Sequence, residues 1–397
     1  LDISQDEAIE KTEELLKSSF EFRMVSDVPV GVFLSGGYDS SVVTAILQNQ
    51  RTEKLNTFTI GFKEKGFDEA PYAKEVAKYL GTNHTEYYCT QKDALEIIPK
   101  LCELYDEPFG DSSAIPTTLV SALARKYVTV SLSADGGDEI FAGYSKYTTT
   151  MQYFNKFNSI PNSIKSLISL GMDRINPKYI PILNKTYNFA TRYEKINSIL
   201  KAKDSVEAMK YTSEYFTKKE RDKLLKHNID IIKTNFDIEI SDVNDEINQM
   251  LAIDYKTYML DDILTKVDRA TMSVGLEGRE PLLDYRIIEF VSQLPSKLKY
   301  NNGEKKWLLK QITHKYLPKE LMDRPKQGFG VPLTEWFRNE LKDYFMIYLD
   351  EKRIEKEGLF NSKEIIKLRD SYLSGNKENV QKLWFLLMFE MWYEKWM

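Results

Sequence analysis

The stretch VPVGVFLSGGYDSSVV, residues 28–43, decides how this chain is read. An apolar run from Val30 to Leu34 ends in a serine, two glycines, an aspartate and two more serines, and apolar residues then resume. A short β-branched run bounded by glycine reads as a buried strand, and SSVVTAILQNQ after it reads as a helix. The turn between them lies where an open parallel sheet binds ligands, beyond the carboxyl end of a strand. Gly36 and Gly37 tolerate positive φ and leave room for an anion at the backbone. Consecutive N–H groups and a helix start add positive partial charge, and Ser35, Ser40 and Ser41 add hydroxyls. Asp39 would repel a phosphate unless a cation bridged them. Mg²⁺ takes one or two carboxylates plus phosphate oxygens, so Asp39 is the expected metal ligand. Neither GxxxxGK[ST] nor GxGxxG occurs, which suggests that a different part of a nucleotide is cradled here.

Outward from this turn, LNTFTIGF reads as a second strand. DEAPYAKEVAKYLG reads as a helix with Asp68 as N-cap, Pro71 in its first turn and Gly81 as its stop. NHTEYYC reads as a third strand, SAIPTTLVSALARKY as a helix and VTVSLS as another strand. Strands alternating with helices imply parallel βαβ units and an α/β, doubly wound, mainly parallel sheet. Ten of the 18 glycines fall in the first 150 residues. From about Phe154 onward amphipathic helical patterns dominate, as in DEINQMLAIDYKTYMLDDILTKVDRATM. The closing NVQKLWFLLMFEMWYEKWM reads as a buried or docking helix with core aromatics. A chain of 397 residues exceeds one ordinary core. The expected organisation is an α/β nucleotide-binding core over 1–150 and a mainly helical part over 151–397 that completes the site.

The net charge of −5, from 55 basic and 60 acidic residues, argues against a dedicated nucleic-acid binder. There is no apolar run of membrane-spanning length, and the acidic, amphipathic start does not read as a signal peptide, so no membrane is expected. Two cysteines, Cys89 and Cys102, form no disulfide framework and fit a reducing, cytoplasmic setting. His84, His227 and His314 lie far apart and read as surface or packing residues.

SGGYDSS (35–41) resembles the pyrophosphate loop of the ATP-pyrophosphatase, or adenine-nucleotide α-hydrolase, superfamily, whose members cleave ATP between the α and β phosphates. Three further segments follow in order: LSADGGDEIFAGYSKY (132–147), DDILTKVDRATMSVGLEGREPLLDYRIIEF (261–290) and LPKELMDRPKQGFGVPLTEWFR (317–338). Together the four resemble the synthetase domain of the asparagine synthetases. The resemblance implies that Ser35, Gly36, Gly37, Asp39, Ser40 and Ser41 hold the pyrophosphate of ATP, and that Leu34, Ile60, Ser133 and Ala134 contact the nucleotide. It implies Asp39 and Asp138 as Mg²⁺ ligands, Asp135 as a proton acceptor and Lys326 as a lysine on the phosphates. Some members carry glutamate in the place of Asp135. Arg279 and Glu280 are expected to be structural, with Glu280 standing where an apolar residue is common.

The activity so implied is adenylation of a carboxylate, aspartate first among the acceptors, followed by attack of ammonia to give asparagine and AMP. The glutamine-dependent members begin with a nucleophilic cysteine. This chain begins with Leu1 and has no cysteine before Cys89. An N-terminal glutaminase domain is therefore expected to be missing or separate, with ammonia arriving from it or from solution, and a homodimer is left open. Amidation of another carboxylate, such as a uronic sugar of surface polysaccharide, and a non-catalytic ATP-binding subunit stay open as alternatives. A tRNA-modifying relative would want an active cysteine and a basic face.

Overall fold

The computed structural model describes residues 1–397 apart from positions 65–66, 176, 178–179, 181–188, 228, 230–232, 238–239, 241–242, 244, 325–329 and 340. Five strands form a parallel sheet: β1 (Val30–Phe33), β2 (Asn56–Phe62), β3 (Asn83–Cys89), β4 (Val130–Leu132) and β5 (Glu277–Arg279). Their order is β3-β2-β1-β4-β5, and every neighbouring pair is parallel. The α/β, doubly wound expectation is met. The order reverses between β1 and β4, and a crevice opens at such a switch point beyond the carboxyl ends of the two strands.

Helices α1 (Gln5–Met24), α2 (Tyr38–Asn49), α3 (Ala70–Leu80), α4 (Gln91–Leu104) and α5 (Ala114–Arg125) accompany the first four strands. Residues 40–47 of α2 are buried without interruption, as a helix packed on all sides requires. In α3, Pro71 lies in the first turn and Gly81 ends the helix with φ +74. The N-cap differs from the sequence expectation. Glu69 occupies it without a side-chain capping hydrogen bond, while Asp68 Oδ1 accepts from the Ala70 N–H at 3.1 Å and the Phe62 N–H at 3.4 Å. Asp68 thus ties the helix start to β2 instead of capping it.

β5 was not foreseen, because it falls inside a segment read as helical. Glu-Gly-Arg carries no β-branched or apolar residue. It is extended through its pairing with β4, in which Leu132 faces Arg279 and the Ser133 N–H donates to Arg279 O at 2.9 Å.

The chain forms two compact units. One comprises Leu1–Gly143, Asp254–Pro332 and Lys395–Met397, and the other Tyr144–Ile253 and Leu333–Glu394. The first unit holds the sheet, the helix Thr265–Met272, the helix Trp307–Thr313 and a small hairpin, β6 (Tyr300–Asn301) with β7 (Glu304–Lys305). Its core joins Leu16 and Phe20 of α1 to Val43 and Ile46 of α2 and to Leu308 and Ile312. Each such side chain contributes about 1.5–3 kcal/mol on burial. The second unit is mainly helical among the described residues. Its centre is aromatic, with Phe337 stacked on Phe345 at 4.1 Å and packed against Trp384 at 5.8 Å. Among the described residues no helix is long and apolar enough to cross a membrane.

Candidate active site

A cavity of about 480 Å³ in the first unit collects the residues that follow β1 and β4 together with part of β2. It therefore occupies the switch point. Leu34 and Ile60 are 1% and 2% exposed and, with Val120, give it an apolar wall suited to a flat heterocycle. Ser133, Ala134 and Asp135 enter it from the end of β4.

The serine–glycine loop holds its own shape. The Ser35 N–H donates to Ser40 Oγ at 3.1 Å, the two hydroxyls lie 3.0 Å apart, and the Gly37 N–H donates to Ser35 Oγ at 3.3 Å. α2 then starts with no side-chain cap, so no capping side chain claims the N–H groups of its first turn, the donors a helix offers to an anion. Gly36 has φ +74, and a Cβ there would lie 2.8 Å from Ala73 N and 2.9 Å from Tyr72 C in α3. Both obstacles are backbone atoms that cannot rotate aside. Gly36→Ala is therefore expected to cost roughly 2 kcal/mol or more in unfolding free energy, read by urea denaturation. Ser41 does not line the cavity. It is fully buried in the first turn of α2, and its hydroxyl has no hydrogen-bond partner among the described residues.

Asp39 and Asp138, 99 positions apart in sequence, converge on one cation. The Lys306 ammonium contacts Asp39 Oδ2 and lies 2.6 Å from Asp138 Oδ1. Lys306 itself is buried and adopts φ +55 at the end of the hairpin. Burial alone would lower its pKa, but the carboxylates of Asp138 and Asp39 outweigh that and raise it. Glycines keep the approach open. A Cβ on Gly137 would lie 2.6 Å from the Asp39 carboxyl, and one on Gly143 would collide with Asp138 and Lys306. Two carboxylates against one ammonium leave one negative charge, so the pair fits a divalent cation. No cluster of three or more His, Cys, Asp or Glu side chains that could hold a metal occurs among the described residues.

Asp135 accepts from the Ser133 hydroxyl at 2.5 Å. Burial, the largest influence, raises its pKa and Asp138 adds to that, against the pull of Lys266 and Ser133. Lys266, on the helix Thr265–Met272, bonds Asp111 Oδ2 at 3.0 Å. Burial would depress its ammonium, but Asp111, Asp135 and Asp262 hold it above its ordinary value. A stretch of π-helix, Met259–Leu264, runs into the helix that carries it; such π turns gather at functional sites.

Lys326 lies outside the described residues. Arg324, two positions before it, lines the cavity. Its guanidinium donates to Ser35 O at 3.2 Å and stacks over the Tyr72 ring at 4.2 Å. Lys266, Lys305, Lys306, Lys310 and Arg324 supply five cations to the described lining, against carboxylates of Asp39, Glu69, Asp135, Asp138 and Glu304. This even balance favours a polyphosphate that brings its own divalent ion. Sequence reading missed Lys306 as a site residue. The available signal was the lysine pair in NNGEKKWLLK, after a turn glycine and ahead of a helix.

Comparison with known proteins adds the following. The family described as Asparagine synthase matches residues 11–394. The chain is similar to asparagine synthetase [glutamine-hydrolyzing] 1 of Bacillus subtilis (strain 168), with 31% identity over 397 residues, covering 98% of this chain and 60% of that one. It is similar to a putative asparagine synthetase [glutamine-hydrolyzing] of Mycobacterium bovis, 28% identical over 96% of this chain and 56% of that one. Putative asparagine synthetase [glutamine-hydrolyzing] 2 of Methanocaldococcus jannaschii is 53% identical over 137 residues, 34% of this chain and 26% of that one. The chain spans about three fifths of the length of the first of these relatives.

Proposed function

The chain belongs to the asparagine synthase family, and on that premise we propose that it is an ATP-dependent carbon–nitrogen ligase. It adenylates a carboxylate, aspartate foremost, with release of pyrophosphate, and then transfers ammonia to give the amide and AMP. One observation carries this reading. A serine–glycine loop, a carboxylate pair around one ammonium, and a buried aspartate share a single cavity at the switch point of the sheet.

The roles follow from charge. A carboxylate is a poor electrophile until its oxygen is joined to the α-phosphorus of ATP, which makes AMP the leaving group. The loop of Ser35, Gly36, Gly37 and Ser40 offers donors to the departing pyrophosphate. Asp39 and Asp138 would hold Mg²⁺, which when bound neutralises charge developing on the phosphates. Lys306 and Arg324 put fixed positive charge beside the same oxygens, in a site where preorganised charge is worth several kcal/mol. Leu34 and Ile60 pack the base. Asp135 takes the proton released as nitrogen becomes bonded to the acyl carbon. Lys266, bonded to Asp111, acts on Asp135 through its charge.

A panel of carboxylates with Mg·ATP and ammonium chloride tests the reading. The expected result is AMP and pyrophosphate in equal amounts, with aspartate the best acceptor. A sugar carboxylate as best acceptor would keep the chemistry and change the substrate. Formation of ADP, or no turnover with any acid, would remove the ligase reading.

A further inference from the structure

We infer that the helix Asn162–Arg174 of the second unit is a docking surface for an anionic lipid bilayer, on which it lies flat with its outer, aliphatic face among the headgroups. The inference concerns attachment of the chain to a surface and does not depend on the ligase reading above.

This helix turns polar groups inward and apolar groups outward. Its one buried residue is Ser169, whose hydroxyl donates to Asn197 Oδ1 at 2.8 Å on the helix Phe189–Lys201. Asn197 in turn donates to Asp173 Oδ1 at 2.7 Å, Lys201 pairs with Asp173 at 2.9 Å, and the Tyr193 hydroxyl donates to Met172 O at 3.1 Å. On the other side, Ile164, Leu167, Ile168 and Leu170 are 41–69% exposed, as is Ile175 just past the last turn. At 3.6 residues per turn, Ile164, Leu167, Ile168 and Gly171 fall on one face. A Cβ on Gly171 would meet nothing within 4 Å, so the space over the middle of that face is open. A surface helix ordinarily has the reverse arrangement, and a contiguous exposed apolar face marks an interaction site.

Charge selects the partner. Residues 144–201 carry nine basic side chains and two acidic ones, in a chain whose net charge is −5. Both acids are engaged, Asp173 by Lys201, and Glu194 by the Thr217 hydroxyl at 2.8 Å with Lys219 at 3.9 Å. Lys165, three positions before Ile168, and Arg174, four after Leu170, stand beside the aliphatic face. Long basic side chains so placed lay their stems on apolar surface and reach headgroup phosphates with their charged ends. A basic amphipathic helix is a membrane-surface element, and anionic lipid is its complement.

Other occupants match these observations less well. A second copy would set the basic face against itself, since a two-fold interface pairs the same patch. Single-stranded nucleic acid stacks on aromatic side chains, whereas the exposed apolar residues of this helix are aliphatic. The helix has 13 residues, short of the roughly 20 that a span requires, so it lies on the bilayer. The sequence expectation of no membrane rested on the lack of a spanning run, which an interfacial helix does not need.

The test mixes the full chain with vesicles of phosphatidylcholine alone, or of phosphatidylcholine with about 30% phosphatidylglycerol, and reads binding by flotation. Partitioning onto the anionic vesicles is expected to exceed that onto the neutral ones at least about tenfold, and to fall as salt is raised from about 0.05 to about 0.5 M. Lys165→Gln and Arg174→Gln are each expected to weaken it about fivefold, and Leu167→Ser about tenfold. Urea denaturation confirms that these variants fold, and the salt dependence of the wild type tests the inference without them. Equal binding to both kinds of vesicle, binding to neither, or unchanged binding by all three variants would overturn it. So would a dimer in sedimentation that Leu167→Ser dissociates, or an RNA or DNA oligonucleotide that binds the same face in preference to the anionic vesicles.

Discussion

Lys306→Met is expected to lower kcat for amide formation by about 10²–10³-fold, the scale of losing one preorganised charge from a reacting centre. Methionine keeps the length of the side chain and removes only the ammonium, which in the wild type holds Asp39 and Asp138 together. The two carboxylates then face each other in a buried place, and breaking a buried ion pair in this way costs about 3–5 kcal/mol. The folded pKa of Lys306 is raised, so its stabilising effect is in full force at neutral pH. It is lost only as pH climbs through that raised value, in the alkaline range. At neutral pH the variant should therefore melt well below the wild type. Magnesium chloride should recover more of the Tm of Lys306→Met than it adds to the wild type, because the divalent ion supplies the charge that was deleted. Scanning calorimetry with and without Mg²⁺ decides it: equal Tm values and an unchanged rate would deny Lys306 both roles.

The second large effect falls on Asp135. Asp135→Asn preserves shape and can still meet the Ser133 hydroxyl, but it cannot take a proton. Amide formation is expected to fall about 10²–10⁴-fold and to fall further than acceptor-dependent ATP–pyrophosphate exchange, because adenylation requires no base there. Acyl-adenylate should then accumulate on the enzyme and be visible by mass spectrometry after acid quench. Equal losses in both assays would mean that Asp135 only braces the loop after β4.

The sheet was legible where strands carry dense apolar or β-branched runs. LNTFTIGF and VTVSLS are buried on nearly every residue, and Gly31, Val32 and Leu34 of the first run are buried too, so local sequence and tertiary position agree. β5 was not legible, since Glu277, Gly278 and Arg279 are extended through the ladder to β4, and a pairing of such long range leaves no local periodicity. The loop of residues 35–40 was legible because φ +74 at Gly36 and the close approach of α3 demand glycine. The Asp39–Asp138–Lys306 cluster was legible by halves. Two carboxylates followed from motifs after strands, whereas Lys306 acquires its meaning from a contact across 267 positions.

Discontinuity of the sheet-bearing unit has a consequence for how the protein is made. Ribosomes add roughly 5–20 residues per second, so the lysine at 306 is synthesised tens of seconds after the aspartate at 39. Between the synthesis of Leu132 and that of Glu277, β4 is the unpaired rim of a nascent sheet, since its partner β5 is still to come, and exposed rims of this kind recruit foreign strands. The stretch Tyr144–Ile253, which belongs to the other unit, is translated inside that window. Vectorial synthesis therefore leaves the sheet-bearing half waiting, open-edged, for a segment encoded far downstream, and gives a holdase something to bind before the cavity at the switch point is complete.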